Sequence, residues 1–400
     1  MTRRSLTALV VVLAACGAGL PERGFSVRDS AGVEIVSNPA SVAGDSGCVA
    51  VDSVPSVTIG GADAEGPYDL LRVGGALRLA DGGVVVLNAG TSELRFFDSA
   101  GRYAQTFGRA GSGPGEFRSP SGLFWYGSDT LMVGDYGTAR VTVLSTDGRL
   151  IEAIALRDRV GGGLVGRLAD GSFVFSATSG YGVGVQTGRR RDPVHLVRVS
   201  AAGELLDTLG SFPGWEAYVE GDAQRTMVTS AAFGLSTDFQ VAAGRVYVAD
   251  DAEYRVREYA DGRRLVRIVE RAYTLVPLTP AVVEREKSER LGATTRPQFR
   301  ELVERMYQSD RLPATLPVHG EIVVDADGWL WVRAYSTARE GDVAWDVFDE
   351  SGRLRCAPSL PVALSVHEIG REFVLGVFRD EDGVEHVRLY GLRRGVRPTS

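Results

Sequence analysis

The chain has 400 residues, 44% of them hydrophobic, with 44 basic and 51 acidic side chains for a formal net charge of −7. That size and apolar content suffice for a large core, as one repeat array or two ordinary domains. The acidic balance excludes the broad basic surface that nucleic acid requires, so no nucleic-acid partner is expected. Lys287 is the single lysine, a skew that suits a GC-rich genome better than a binding demand.

At the N-terminus, Arg3 and Arg4 precede an apolar run from Leu6 to Ala15. The run is too short for a bilayer span, which takes about 20 apolar residues, and it fits an export signal. Leu13-Ala14-Ala15-Cys16 resembles a bacterial lipobox, in which small residues admit the peptidase and the cysteine thiol carries the diacylglycerol. The resemblance covers the leader alone. It implies a lipoprotein signal peptide over residues 1–15, acylation of Cys16, and a membrane partner reached through the lipid anchor. Gly17 follows the cysteine where Asp would retain the protein inside, which points to the outer membrane or periplasmic face. Several acyl chains, at roughly 0.8 kcal/mol per buried methylene, hold a protein on a membrane essentially permanently. Cleavage removes Arg3 and Arg4 and takes the formal charge from −7 by two to −9.

Residues 16–52 read as an N-terminal linker and edge hairpin. Beyond Cys16 the cysteines are Cys48 and Cys356. An even count in an oxidising compartment favours a disulfide, with two buried free thiols as the alternative.

From residue 53 to residue 394, short β-branched and aromatic runs alternate with Gly-containing turns, the pattern of successive hairpins. The phrase from Gly60 to Leu70 is matched by the phrase from Gly108 to Phe117, each lying between β-like runs, which marks a repeat. One turn class falls at Gly82, Gly127, Gly171, Gly244, Gly328 and Gly370. A second falls at Gly101, Gly148, Gly203, Gly262 and Gly352. Six units follow, five of them with four strands A to D. The second strand of several units ends in a polar residue, at Asn88, Asp135 and Asp250, and the third opens with Arg at Arg140 and Arg255. This resembles the NHL-type repeat of six-bladed β-propellers, and the Gly113-Pro114-Gly115-Glu116-Phe117 stretch resembles that family's link between blades. The third unit departs from it, since Phe173-Val174-Phe175-Ser176 lacks the terminal Asp. Two packed β-sandwiches are the alternative architecture. The sixth unit stops after its third strand, leaving residues 395–400 as a polar tail. Ser56-Val57-Thr58-Ile59 is expected to close the ring as its fourth strand, because an open edge invites aggregation. That topology brings Cys48 near the sixth blade and Cys356 to the outer strand of the fifth.

A segment of about 279–312 is not β. Thr279-Pro280 fits a helix start, Gly292 a stop, and Phe299, Leu302, Val303, Met306 and Tyr307 recur at helical spacing. Two helices are therefore expected between the fourth and fifth blades. They either cap the central funnel or pack on the outer rim.

Candidate chemistry is sparse. Asn88, Asp135 and Asp250 could meet at the channel mouth and ligate a hard divalent cation such as Ca through oxygen; some six-bladed lactonases use an Asp, Asn and Glu set of that kind. The competing role is hydrogen bonding within their own turns or pairing with Arg. Arg140 and Arg255 are candidate anion contacts. His195, His319, His367 and His386 are scattered and form no zinc motif. Gly161, Gly163 and Gly166 precede a strand and not a helix, so they do not form a dinucleotide loop. Trp329 and Trp331 share one strand face, as a stacking platform or as core. Arg189-Arg190-Arg191-Asp192 reads as a solvated basic loop. The expected molecule is a monomeric, lipid-anchored binding or scaffolding module for an envelope protein or small-molecule ligand. No catalytic activity is demonstrable from these residues, and a metal-assisted, lactonase-like hydrolase or lyase is the alternative.

Overall fold

The computed structural model describes residues 25–41, 48–157, 160–178, 187–221, 226–292, 294, 296–308 and 311–395. The signal peptide, Cys16 and residues 396–400 lie outside the described residues.

Turn chemistry sets the architecture. In the hairpins the Asp81 carboxylate accepts the Gly83 N–H at 2.9 Å, and Asp98 accepts those of Ala100 and Arg102 at 2.9 Å each. Gly101 then takes the left-handed conformation at φ +77° that closes such a turn. Repeated along the chain, these turns fold six antiparallel meanders. The first comprises Val73–Arg78, Val84–Asn88, Glu93–Phe97 and Tyr103–Phe107; the second Pro120–Trp125, Thr130–Asp135, Arg140–Ser145 and Leu150–Ala155. The third comprises Gly162–Arg167, Phe173–Thr178, Pro193–Val199 and Leu205–Pro213; the fourth Thr237–Ala242, Arg245–Asp250, Arg255–Ala260 and Arg264–Arg271. The fifth comprises His319–Val324, Leu330–Ala334, Asp342–Phe348 and Leu354–Cys356; the sixth starts with Leu364–Ile369, Phe373–Arg379 and Glu385–Arg394.

The leading strand of each meander touches the leading strands of its two neighbours, and that of the sixth touches that of the first. The sheets therefore stand around a common axis as a β-propeller. Apolar side chains fill the wedges between adjacent sheets. Trp331 and Trp345 of the fifth pack with Leu364, Val374 and Tyr390 of the sixth, all essentially without solvent exposure. Trp331 is thus core, and its indole N–H donates to Asp325 at 2.8 Å.

Ring closure follows the expected route. Val57–Gly60 pairs antiparallel with Glu385–Arg394, from Leu389 opposite Val57 to His386 opposite Gly60, and Val49–Val51 extends the pairing beyond it. Cys48 is disulfide-bonded to Cys356 with Cα atoms 5.9 Å apart, tying the fifth sheet to the closing segment.

The N-terminal hairpin, Ser26–Ser30 with Val33–Asn38, goes further than an edge. Val33–Asn38 lies parallel on Arg264–Arg271, the outer strand of the fourth sheet. Buried Asn38 donates to Gly352 O at 3.0 Å and Glu270 O at 3.2 Å and accepts Leu354 N–H at 2.8 Å, bridging the fourth and fifth sheets. One N-terminal strap thus runs along the fourth, fifth and sixth sheets.

A second departure is a three-stranded sheet of Gly188–Arg190, Ala217–Gly221 and Thr226–Ser230. Its first strand comes from the middle connection of the third meander, and the other two come from the link to the fourth. The Arg189–Asp192 stretch is therefore not a solvated loop. The Arg189 guanidinium is mostly buried, paired with Glu216 and donating to Ala232 O and Arg311 O at 3.0 Å each. Burying the charge is affordable only because partners surround it.

The two helices form where their sequence signals stand, α1 over Pro280–Gly292 and α2 over Pro297–Met306. Thr279 starts the first, its carbonyl accepting Val283 N–H at 3.1 Å. Leu302, Val303, Met306 and Tyr307 bury against Tyr218, Ala231, Ala232 and Phe233, so the helices and the three-stranded sheet share one small core.

Candidate functional site

The residues singled out in the sequence fall at equivalent strand ends but in different sheets. Asn88 accepts Leu71 N–H at 2.7 Å and donates to Asp69 O and Thr91 Oγ1. Asp135 accepts four backbone N–H groups, those of Arg118 and Ser119 at 2.9 Å, Gly137 at 3.0 Å and Thr138 at 3.3 Å. Each fastens the entry to its own sheet's leading strand. In the fourth sheet that task passes from Asp250 to Asp251, whose carboxylate accepts Ser236 N–H at 2.7 Å. Asp250 accepts instead from Arg191 at 2.7 Å and Ala252 N–H at 3.0 Å. Among the described residues no three His, Cys, Asp or Glu side chains converge in a metal-binding group.

The arginines hold loops. Arg140 donates to Ser112 O and Gly113 O at 2.9 Å each, clamping the Gly-rich link. Arg95 does the same for the earlier link through Pro67 O at 3.0 Å, a parallel the sequence reading missed. Arg255 lies between Glu253 and Glu270, 3.1 Å from each.

Residues that sequence reasoning passed over line the central channel. Leading strands have no sheet partner on their inner side, so backbone N–H groups there need acceptors. Side chains of the neighbouring leading strand supply them. Gln240 accepts Val324 N–H at 3.1 Å, while the Asp238 carboxylate lies near the Ile322 N–H and that of Glu321 near the Val366 N–H. Glu368 accepts Arg78 N–H at 2.7 Å and the Trp125 indole N–H at 3.0 Å, joining the sixth sheet to the first and second. The available signal was Thr237-Asp238-Phe239-Gln240 and Glu321, polar positions in strands that elsewhere read as apolar.

These carboxyls are partly buried, and the protein around them weakens their hydration. Burial pushes Asp238 up to about 6, only partly offset by the Ile322 N–H. Burial likewise takes Glu321 to about 7 against the pull of Arg333, with Asp238 adding repulsion. Asp251 also reaches about 7, through burial first, with Asp250 and Asp238 adding to it. Burial depresses His367 to about 4 and lowers His319, whose ring lies edge-on to Tyr254.

Asp238, Asp251 and Glu321 belong to the channel end where chain enters the leading strands. The helices reach the same end. Arg285 of α1 donates to Thr337 Oγ1 at 2.6 Å, and Arg339 pairs with Glu289 at 2.7 Å, both contacts to the loop after Leu330–Ala334. The Tyr335 hydroxyl in that loop is pushed up to about 12 by burial, with Glu286, Asp251 and Tyr307 adding to it.

A separate cavity of about 240 Å³ lies at the rim between the fourth and fifth sheets, lined by Tyr254, Arg271, Tyr273, Leu275, Leu316 and Val318 among others. Its polar groups are committed: Tyr254 and Arg271 both bind Asp346.

No protein-family model matches the sequence, and no curated protein is similar to it. Solved structures are similar in fold. One is a Bacteroides fragilis protein described as exported, 12% identical, with TM-score 0.50 over 90% of this chain and 99% of that one. A Bacteroides vulgatus member of the DUF4221 family is 8% identical, with TM-score 0.49 over 87% of this chain and 99% of that one. The calcium-binding protein regucalcin of Agrobacterium tumefaciens is 14% identical, with TM-score 0.40 over 86% of this chain and 99% of that one. At such identities the likeness is one of fold, and the chain is a β-propeller; the fold alone does not assign an activity.

Proposed function

We propose that this chain is a six-bladed, NHL-like propeller, exported and lipid-anchored through Cys16 to the envelope side of a bacterial membrane. In this reading it works as a monomeric binding or scaffolding module. The helices and the three-stranded sheet cap the channel face that receives a protein or small ligand.

The observation that carries the reading is the commitment of Asn88, Asp135 and Asp250 to hydrogen bonds within the protein. Such an arrangement favours recognition over metal-assisted hydrolysis. Two measurements test it. Metabolic labelling with a fatty-acid analogue should mark the wild type and not Cys16→Ser, which should be released from membranes; membrane retention of Cys16→Ser would overturn the anchor. Elemental analysis of the purified domain before and after chelation should find no stoichiometric divalent ion. A bound Ca that requires Asp135 and Asp250 would replace the binding module with the lactonase-like alternative.

A further inference from the structure

We infer that the two helices and the three-stranded sheet form one lid over the channel mouth, and that this lid opens along α1, where polar side chains latch it to the fifth sheet. The inference deepens the reading of that face as the ligand side of a binding module and rests on it.

The lid holds itself together. Its apolar core draws on the three-stranded sheet, on Ala231, Ala232 and Phe233, and on both helices, with no residue from the six meanders. Three further contacts stitch the sheet to the helical side. Arg305 of α2 pairs with Glu220 at 2.8 Å, Arg290 of α1 donates to Thr229 Oγ1 at 3.3 Å, and the Arg311 guanidinium lies 5.3 Å from the centre of the Tyr218 ring. A unit with its own core, joined to its neighbour by a polar interface, moves relative to that neighbour by default.

Its attachments differ from edge to edge. On one side the three-stranded sheet continues the third meander, with Arg190 facing Ala217 just beyond the point where Pro193 faces Pro213. The helices hang on a two-stranded stalk, in which Leu316 N–H donates to Val276 O at 2.9 Å and Leu278 N–H to Ala314 O at 3.0 Å. The stalk is rooted where Ala272 N–H donates to Asn38 O at 2.9 Å and Val318 N–H to Asp251 O at 2.8 Å. Between root and stalk, Tyr273, Thr274 and Leu275 form no backbone hydrogen bond among the described residues. The rim cavity of about 240 Å³ lies against them and against Leu316, Pro317 and Val318. That stretch is a hinge with room to turn.

On the far side α1 has no fully buried residue. It meets the fifth sheet through Arg285, which donates to Thr337 Oγ1 at 2.6 Å, and through Arg339, which pairs with Glu289 at 2.7 Å and Glu286 at 3.5 Å. The Arg285 and Arg339 side chains are 48% and 66% exposed, so water and salt compete for both. Closure is also opposed from within. Glu286 Oε1 is enclosed without a hydrogen-bond partner, and an unpaired buried acceptor disfavours the state that buries it. A weak latch over an unpaired acceptor leaves the open and closed lid close in free energy.

Spin labels on Ser288→Cys and Glu340→Cys measure the gap across the latch by double electron–electron resonance. The mature protein carries Cys16→Ser for this purpose, and Cys48 and Cys356 stay bonded to each other. A second pair, on Met227→Cys and Ser288→Cys, measures a distance within the lid; all three positions are exposed. The latch pair should show one main short distance at low salt. Raising NaCl from about 0.1 M to about 1 M shortens the screening length from about 10 Å to about 3 Å. That change, or Arg285→Gln/Arg339→Gln, should raise the ratio of a longer distance to the short one about fivefold, the worth of two exposed ion pairs, while the distance within the lid stays fixed. A latch distance that neither change alters, or a distance within the lid that lengthens as well, would overturn the inference. A thermal melt checks that the double variant folds, and the salt series decides without it. Failure here leaves the binding module standing, because labelling of Cys16 and elemental analysis test that reading and neither depends on the lid.

Discussion

Removing the Cys48–Cys356 bond should loosen the closure of the ring, and the size of the effect follows from the topology. The bond closes a loop with a sequence separation of 308. Chain entropy for a loop of that length gives a ceiling of about 5.7 kcal/mol at 25 °C. Part of it is already supplied by Val49–Val51 and Val57–Gly60, which hold the same segment to the sixth sheet, so a loss of about 3 kcal/mol sets the lower expectation. A chain of 400 residues unfolds with an entropy near about 0.84 kcal/mol/K, which turns that range into a fall in Tm of about 4 to 7 °C. Cys48→Ala/Cys356→Ala is the suitable variant, because both side chains are buried and alanine leaves neither a thiol nor an unpaired polar atom. Scanning calorimetry of wild type and variant, with peptide mapping to verify the bond in the wild type, measures it. A Tm within about 1 °C of the wild type would refute the reasoning, since the strap would then hold without its staple.

Asn38→Ala should cost about 2–4 kcal/mol in urea unfolding, because it leaves Leu354 N–H and Gly352 O buried without partners between the fourth and fifth sheets. Arg189→Ala strands the Glu216 carboxylate, whose burial is at present outweighed by Arg189 and the Leu235 N–H, so that it titrates below its ordinary value. Hydrogen exchange should speed in α2 and Ala217–Gly221 while the six meanders stay protected. Asp238, Asp251 and Glu321 hold protons up to about 6 or 7 that the unfolded chain releases near about 4. Between those values the folded state binds more protons, so these groups lower stability as pH rises. Glu321→Gln should therefore stabilise at pH 8 and have little effect at pH 4, read from paired denaturation curves.

How much was legible depended on how local the cause was. Asp-Gly turns and alternating apolar runs act within a few residues, so the meanders, the closing strand at Val57–Gly60 and the helix start at Thr279 could be read directly. The disulfide followed once the ring order placed Cys48 and Cys356 on adjoining sheets. The three-stranded sheet could not be read in this way. Gly188–Arg190 finds its partner at Ala217–Gly221, across a whole hairpin of the third meander, and a triple-Arg stretch looks solvated until Glu216 and three carbonyls are brought to Arg189. The parallel docking of Val33–Asn38 on Arg264–Arg271 was hidden for the same reason. The displacement of Asp250 by Asp251 was also hidden, because a repeat alignment fixes residue positions and not which side chain turns toward the preceding loop.

The channel carboxylates show why site residues in this fold resist reading by residue type alone. Closing sheets around an axis leaves each leading strand with unpaired N–H groups on its inner side, and a long acidic or amide side chain from the next sheet is one way to satisfy them. Acids in the channel are thus first a consequence of the architecture, and their number says little about chemistry. What separates them is the second oxygen. Glu368 gives one to Arg78 N–H and the other to the Trp125 indole, which finishes it as a structural bridge. Glu321 has neither contact in full: it lies near the Val366 N–H, and its Oε1 is enclosed by protein without a partner.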